Sequence, residues 1–158
     1  MKTYQVEKAV VEHFNPRQNL IVPNVSWGFF THHEADILVC TKAGRLYEIE
    51  LKVTKRDLIA EKRKRWGHRD DKNRIKYLLY AVPADLTTFA LEFIEERCGI
   101  LSVSKRGCDY VVTEAREATK LSEYKASDSD RQILLRLCAL RLWGLKSKLG
   151  KLMDGGAR

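Results

Sequence analysis

The run from Arg45 to Val53, RLYEIELKV, alternates apolar and polar side chains with period two, the pattern of a strand with two unlike faces. Just upstream, Ala35 to Cys40 (ADILVC) is a second β-rich run, and Lys42-Ala43-Gly44 lies between the two. Three-residue hairpin loops commonly end in a left-handed residue, which Gly44 supplies. With Thr41 paired to Arg45, counting back along both strands sets Asp36 opposite Glu50. Opposed residues share a face with Cβ atoms about 4.5–5.5 Å apart, and Lys52, two residues on, projects from the same side. Ile37, Val39, Tyr47, Ile49, Leu51 and Val53 then cover the other face. Two carboxylates and an ammonium converge on one spot.

Like charges opposed across a ladder are unfavourable unless something neutralises them, and the candidates are Lys52 and a bound cation. Hard oxygen ligands suit Mg2+ or Mn2+, which can activate a water and stabilise charge on a phosphodiester. The lysine would hold that water or help to deprotonate it. A solvated sheet face with cross-strand ion pairs has the same spacing, so the pattern alone leaves both open. Glu48 shares the face of Glu50 and Lys52 and reads as an ion-pair partner more readily than as an outer ligand.

Elsewhere, residues 4–14 read as a short amphipathic helix closed by Asn15-Pro16, and Leu20 to Val25 as an apolar stretch within a loop. Thr54 and Asp57 have the spacing of an N-cap and its acidic N3 partner, so a helix starts there and runs through basic residues toward Gly67. Tyr77 to Val82, closed by Pro83, reads as a central strand. A helix near Leu86 to Arg97 follows, then strands Ile100 to Ser104 and Tyr110 to Thr113 around Arg106-Gly107, then a helix from about Asp128 to Lys151. Interleaved helices and strands mean an α/β or α+β fold with a mixed sheet flanked by helices. With no repeat or long linker, residues 1–158 make one domain, with a core over about 4–115 and a C-terminal helix. That helix carries Ile133, Leu134, Leu137, Cys138, Leu140, Leu142, Trp143, Leu145 and Leu149, more apolar surface than one face requires. Core closure is the favoured use of it, and pairing in a homodimer the other.

The formal charge of +8 is unevenly placed: Lys55 to Lys76 holds ten bases against four acids. Such a segment favours a nucleic-acid partner, a solvated helix face being the plainer reading. Trp66 and His68 within it would stack on a base or touch phosphate, or pack on the sheet. No run approaches a membrane span and the N-terminus lacks a leader's apolar run, so a soluble, cytoplasmic protein is expected. Cys40, Cys98, Cys108 and Cys138 are scattered without metal spacing and read as reduced packing thiols. His32-His33-Glu34 makes a poor zinc site, because adjacent histidines on an extended chain point in different directions.

Asp36, followed after a hairpin by Glu50-Leu51-Lys52, resembles the PD-(D/E)xK nuclease signature. The wider stretch GRLYEIELKVTKRDL, with YLLYAVP leading to GILSVS, resembles the MmcB-like branch of bacterial and phage DNA repair proteins, best over residues 35–104. Ala35 stands where the signature has proline. The resemblance implies a restriction-endonuclease-like αβββαβ core and a Mg2+-dependent (or Mn2+-dependent) deoxyribonuclease. Asp36, Glu50 and Lys52 would be catalytic, and Asp36, Glu50 and Leu51 would hold the metal. The family usually adds an acid from the first helix. Of Glu7 and Glu12, Glu7 shares a face with Val10, Val11 and Phe14, so Glu7 is the choice. Lys55, Arg56, Lys62, Arg63, Lys64, Arg65 and Arg69 are the expected DNA contacts. The alternative is a non-catalytic nucleic-acid-binding module with a nuclease-like fold.

Overall fold

The computed structural model describes residues 1–26, 29, 34–61 and 74–155. Their order is α1 (Thr3–His13), β1 (Leu20–Val25), β2 (Ala35–Cys40), β3 (Leu46–Leu51), α2 (Lys55–Glu61), β4 (Tyr77–Pro83), a 3-10 turn (Ala84–Leu86), α3 (Thr87–Phe93), β5 (Gly99–Arg106), β6 (Asp109–Arg116) and α4 (Asp128–Gly155). The strands form one open sheet in the order β1-β2-β3-β4-β5-β6. β4 runs parallel to β3 and to β5, and the other neighbours are antiparallel. The fold is therefore α+β with a mixed sheet, as the interleaved periodicities require, and its first elements follow the order αβββαβ.

Local chemistry accounts for most boundaries. In the β2–β3 hairpin the Thr41 amide donates to the Arg45 carbonyl (3.0 Å) and the Gly44 amide to the Thr41 carbonyl (2.9 Å). Gly44 takes φ +75°, where a side chain would be strained. The register from Cys40–Leu46 to Ile37–Ile49 is the one counted from the sequence. At α2 the Thr54 amide donates to Asp57 Oδ2 (3.1 Å) and the Asp57 amide to Thr54 Oγ1 (3.2 Å), a reciprocal capping box. α1 stops where Asn15 turns left-handed (φ 51°) ahead of Pro16. α3 is shorter than its apolar pattern suggests. At its last turn and just past it, Arg116 of β6 donates to the carbonyls of Leu91 (3.1 Å), Ile94 (3.0 Å), Glu95 (2.9 Å) and Cys98 (2.9 Å), satisfying groups that a helix end leaves unpaired.

Leu20 to Val25 is not a loop but the edge strand β1, paired with β2 from Leu20–Cys40 to Val25–Ala35. Pro23 obscures it in the sequence. Proline cannot donate to a ladder, but an edge strand has one side on which no donor is required.

α1 covers one face of the sheet, packing Val6, Ala9 and Val10 on Ile37, Val39, Ile49, Leu79, Ala81, Leu101 and Val103. The other face carries two clusters. Val22, Leu38, Cys40, Leu46 and Ile75 lie under Leu134 of α4. Leu78, Tyr80, Val82 and Ile100 lie under Leu58 of α2 and Leu86, Ala90 and Ile94 around α3. All four cysteines are free, and burial pushes the Cys98 thiol up to about 11, as suits a packing residue.

Asp130 ties α4 to this layer. Its Oδ2 accepts hydrogen bonds from the Ser127 amide (2.8 Å), Ser127 Oγ (2.6 Å) and the Tyr124 hydroxyl (2.5 Å), and Arg74 reaches Oδ1 at 3.2 Å. Burial alone would raise this carboxyl, but the bonds from Ser127 and Tyr124 and the Arg74 charge outweigh it and hold it below its usual range. The stability this gives is present above the unfolded aspartate's pKa, about 4, and is lost as pH falls through the folded value. Asp130→Asn should therefore cost about 1–3 kcal/mol at neutral pH. Its deficit against wild type should shrink below about pH 4, as denaturant titrations at several pH values would reveal. A deficit independent of pH would mean that the ionised carboxylate contributes nothing.

Candidate active site

The hairpin register extends from Ile37–Ile49 to set Asp36 of β2 beside Glu50 of β3. Lys52 lies just past β3, where its amide continues the parallel ladder by donating to the Ala81 carbonyl (3.1 Å). The i, i+2 spacing puts the two side chains on one face, and Lys52 Nζ donates to Glu50 Oε2 at 2.7 Å. Asp36 is oriented by the backbone: its Oδ2 accepts the Leu51 amide at 2.8 Å. The structure thus brings Asp36, Glu50 and Lys52 together as the alternation requires.

Their surroundings differ from a solvated sheet face. Glu48 is 1% exposed, Glu50 6% and Lys52 7%, whereas Asp36 is half-buried. The row runs along β3 between the two apolar clusters, so these charges are desolvated, a costly arrangement for a surface ion pair to adopt. Burial is the first cause of a raised Glu50 pKa; the Lys52 charge and its hydrogen bond oppose the rise, and the charges of Asp36 and Glu48 add to it. Functional sites gather such perturbed carboxyls, although structural ion pairs do so too.

Each of the other expected site residues has a definite place or lies outside the description. Leu51 offers no side-chain donor and packs with the α1-side cluster, so any ligand it supplies is its carbonyl. Glu7 is half-buried and Glu12 exposed, the latter ion-paired with Lys8 at 3.6 Å, so Glu7 is the more enclosed acid, as the helical wheel suggests. α1 nevertheless covers the sheet face opposite Asp36 and Glu50, and Glu7 is not among the leading charges acting on Glu50. Lys55 and Arg56 are exposed in the first turn of α2, with the Lys55 ammonium 5.3 Å from the Phe89 ring centroid. Lys62, Arg63, Lys64, Arg65 and Arg69, like Trp66, His68, His32 and His33, lie outside the described residues.

Tyr80 was not singled out from the sequence, yet it is the register partner of Glu50 and only 7% exposed. Period two along YLLYAVP makes Leu78, Tyr80 and Val82 one face, but only the parallel pairing of β3 with β4 says which strand that face adjoins.

Among the described residues no group of three or more His, Cys, Asp or Glu is arranged to hold a metal ion. The donor set at hand is two carboxylates, Asp36 and Glu50, with the adjacent Leu51 carbonyl. These are hard oxygen donors of the kind Mg2+ or Mn2+ takes along with several waters.

No family model and no curated protein matches the chain. A solved structure of a protein of unknown function from Silicibacter pomeroyi has a similar fold, with a TM-score of 0.64 and 17% identity over 100% of this chain and 95% of that one. At that identity the likeness concerns the fold alone. No helix among the described residues is long and apolar enough to cross a membrane.

Proposed function

We propose that the chain is a Mg2+-dependent (or Mn2+-dependent) deoxyribonuclease of the PD-(D/E)xK type, akin to the MmcB-like DNA repair branch, with Asp36, Glu50 and Lys52 as its centre. The observation that carries this reading is the juxtaposition of two carboxylates and one ammonium on a desolvated sheet face, at the end where Asp36 remains accessible. Burying such a group without a role is costly: burial first, and the Asp36 charge second, raise the Glu50 carboxyl, and a bound cation would offset both. The residues fit the metal in charge and in donor chemistry, with Asp36, Glu50 and the Leu51 carbonyl as its holders. When bound, the ion would supply charge against the phosphodiester oxygens and acidify a water. The chain's own groups do the rest. The Leu51 amide fixes the Asp36 carboxylate, and the Glu50–Lys52 bond keeps the ammonium where it can orient the attacking water and meet charge developing on phosphate.

The second reading is a non-catalytic nucleic-acid-binding module. The same 2.7 Å pair supports it, because Glu50 and Lys52 already neutralise each other without an ion. Labelled single- and double-stranded DNA incubated with Mg2+, Mn2+ or EDTA separates the two. Cleavage that requires the metal supports the enzyme, and tight binding with no cleavage under any condition supports the module.

Either reading uses a basic surface that includes Lys55 and Arg56. Each cation that neutralises a duplex phosphate contributes about 0.9 to the slope of log K against log salt. Lys55→Ala with Arg56→Ala should therefore flatten the slope by up to about 1.8 and weaken unrelated sequences alike, as a salt series of anisotropy titrations would measure. An unchanged slope would remove both residues from the DNA path.

A further inference from the structure

We propose that the C-terminal half of α4 is a docking surface for an amphipathic partner helix whose apolar seam is flanked by acidic residues. The helix divides near its middle. Its first half belongs to the core: Leu134 is fully buried, and Ile133, Leu137 and Cys138 pack against the cluster that contains Val22 and Leu38. Among the described residues, Arg141 makes the last hydrogen bond from this helix to the sheet, donating to the Asn24 carbonyl. Beyond it Leu142 is 57% exposed, Leu145 58%, Leu149 58% and Leu152 73%, and Leu135 on the same line is 55% exposed.

The spacing of these residues identifies the kind of occupant. Leu142, Leu145, Leu149 and Leu152 follow at intervals of three, four and three, the 3.5-residue period of a coiled-coil seam. A contiguous leucine stripe held in water is unusual for a surface helix and marks an interaction site. Leu140 and Trp143 lie off the stripe, which makes the helix a poor fit to a lipid surface with a single apolar side.

Charge selects the partner. Arg131, Arg136, Arg141, Lys146, Lys148 and Lys151 are the only charged residues from Arg131 to Met153. With the leucines at the two seam positions of the heptad, Arg141, Lys146 and Lys148 fall at the flanking positions that pair across a coiled coil. A second copy of this chain sets like charges together in either orientation. A parallel pair opposes Arg141 to Lys146, and an antiparallel pair opposes Arg141 to Lys148 and Lys146 to itself. An acidic flank turns the same contacts into attractions and excludes self-pairing.

The test uses the full chain with two synthetic three-heptad peptides, alike in their leucine seam but carrying Glu or Lys at the flanking positions. Anisotropy of the labelled peptides should show at least about tenfold tighter binding of the Glu peptide, weakening with salt. Leu145→Ser with Leu149→Ser should abolish binding, and Lys146→Glu with Lys148→Glu should reverse the preference. All four substitutions fall at exposed positions, so circular dichroism should be unchanged. Sedimentation of the chain alone should give a monomer. Equal binding of the two peptides, or binding that survives the double serine variant, overturns the proposal. So does a dimer that the serine variant dissociates, which would make a second copy the occupant. Capture by phosphatidylglycerol vesicles with no binding of the Glu peptide overturns it in favour of a membrane.

Discussion

Lys52→Ala is expected to lower Mg2+-dependent DNA cleavage by about 10²–10³-fold or more, the loss typical when a charge-stabilising group is removed from a reacting centre. The ammonium is proposed to serve the water and the developing charge rather than duplex affinity, so binding to uncleavable DNA should change little. Its burial adds a second consequence. Lys52 and Glu50 are paired at 2.7 Å with side chains 9% and 8% exposed. Removing the ammonium leaves Glu50 facing Asp36 with less compensation, and breaking such a pair costs about 3–5 kcal/mol. The double variant Lys52→Ala with Glu50→Gln separates the two effects. It should recover much of the lost stability, because the Glu50 carboxylate that lost its partner is neutralised as well, and it should remain inactive. Single-turnover cleavage and denaturant unfolding of wild type, single and double variants would read both. Full cleavage by Lys52→Ala, or cleavage undiminished in EDTA, would dispose of the nuclease assignment.

Leu134→Ala is expected to cost about 2–5 kcal/mol, because a fully buried leucine is replaced by a cavity between α4 and the sheet. Leu145→Ser, eleven residues along the same helix, should change stability by less than about 0.5 kcal/mol, since that side chain is 58% exposed. Paired urea titrations would measure both. The contrast tests whether α4 is one structural element or a core helix continued by a functional extension. Similar costs at both positions would mean that the distal leucines also close the core in solution, and would remove the exposed seam.

Local rules sufficed for the hairpin that builds the candidate site. Period two sets the faces of β2 and β3, Gly44 supplies a left-handed turn, and one counted register brings Asp36 to Glu50. The α2 start was equally readable, because Thr54 and Asp57 satisfy each other's amides within one turn. These features depend on neighbours a few residues apart along the chain or directly across a turn.

What escaped the sequence depends on distant residues. β1 became a strand because β2 offers it a ladder and because its outer edge tolerates Pro23, neither of which is visible in LIVPNV. The alternation that gathered Glu48, Glu50 and Lys52 on one face is the same for a wet surface and a dry one. α2, α3 and α4 decided the matter by stacking apolar clusters on either side of that row, and burial then raised the Glu50 carboxyl. The α4 sequence likewise shows more leucine than one face requires without saying where the body ends. Arg141 is still bonded to Asn24 of β1, and past that point the leucines are exposed, so a local excess of apolar residues becomes an exposed seam. Periodicity sets which side chains share a face, but the desolvation that gives a face its chemistry comes from elements far away in the chain.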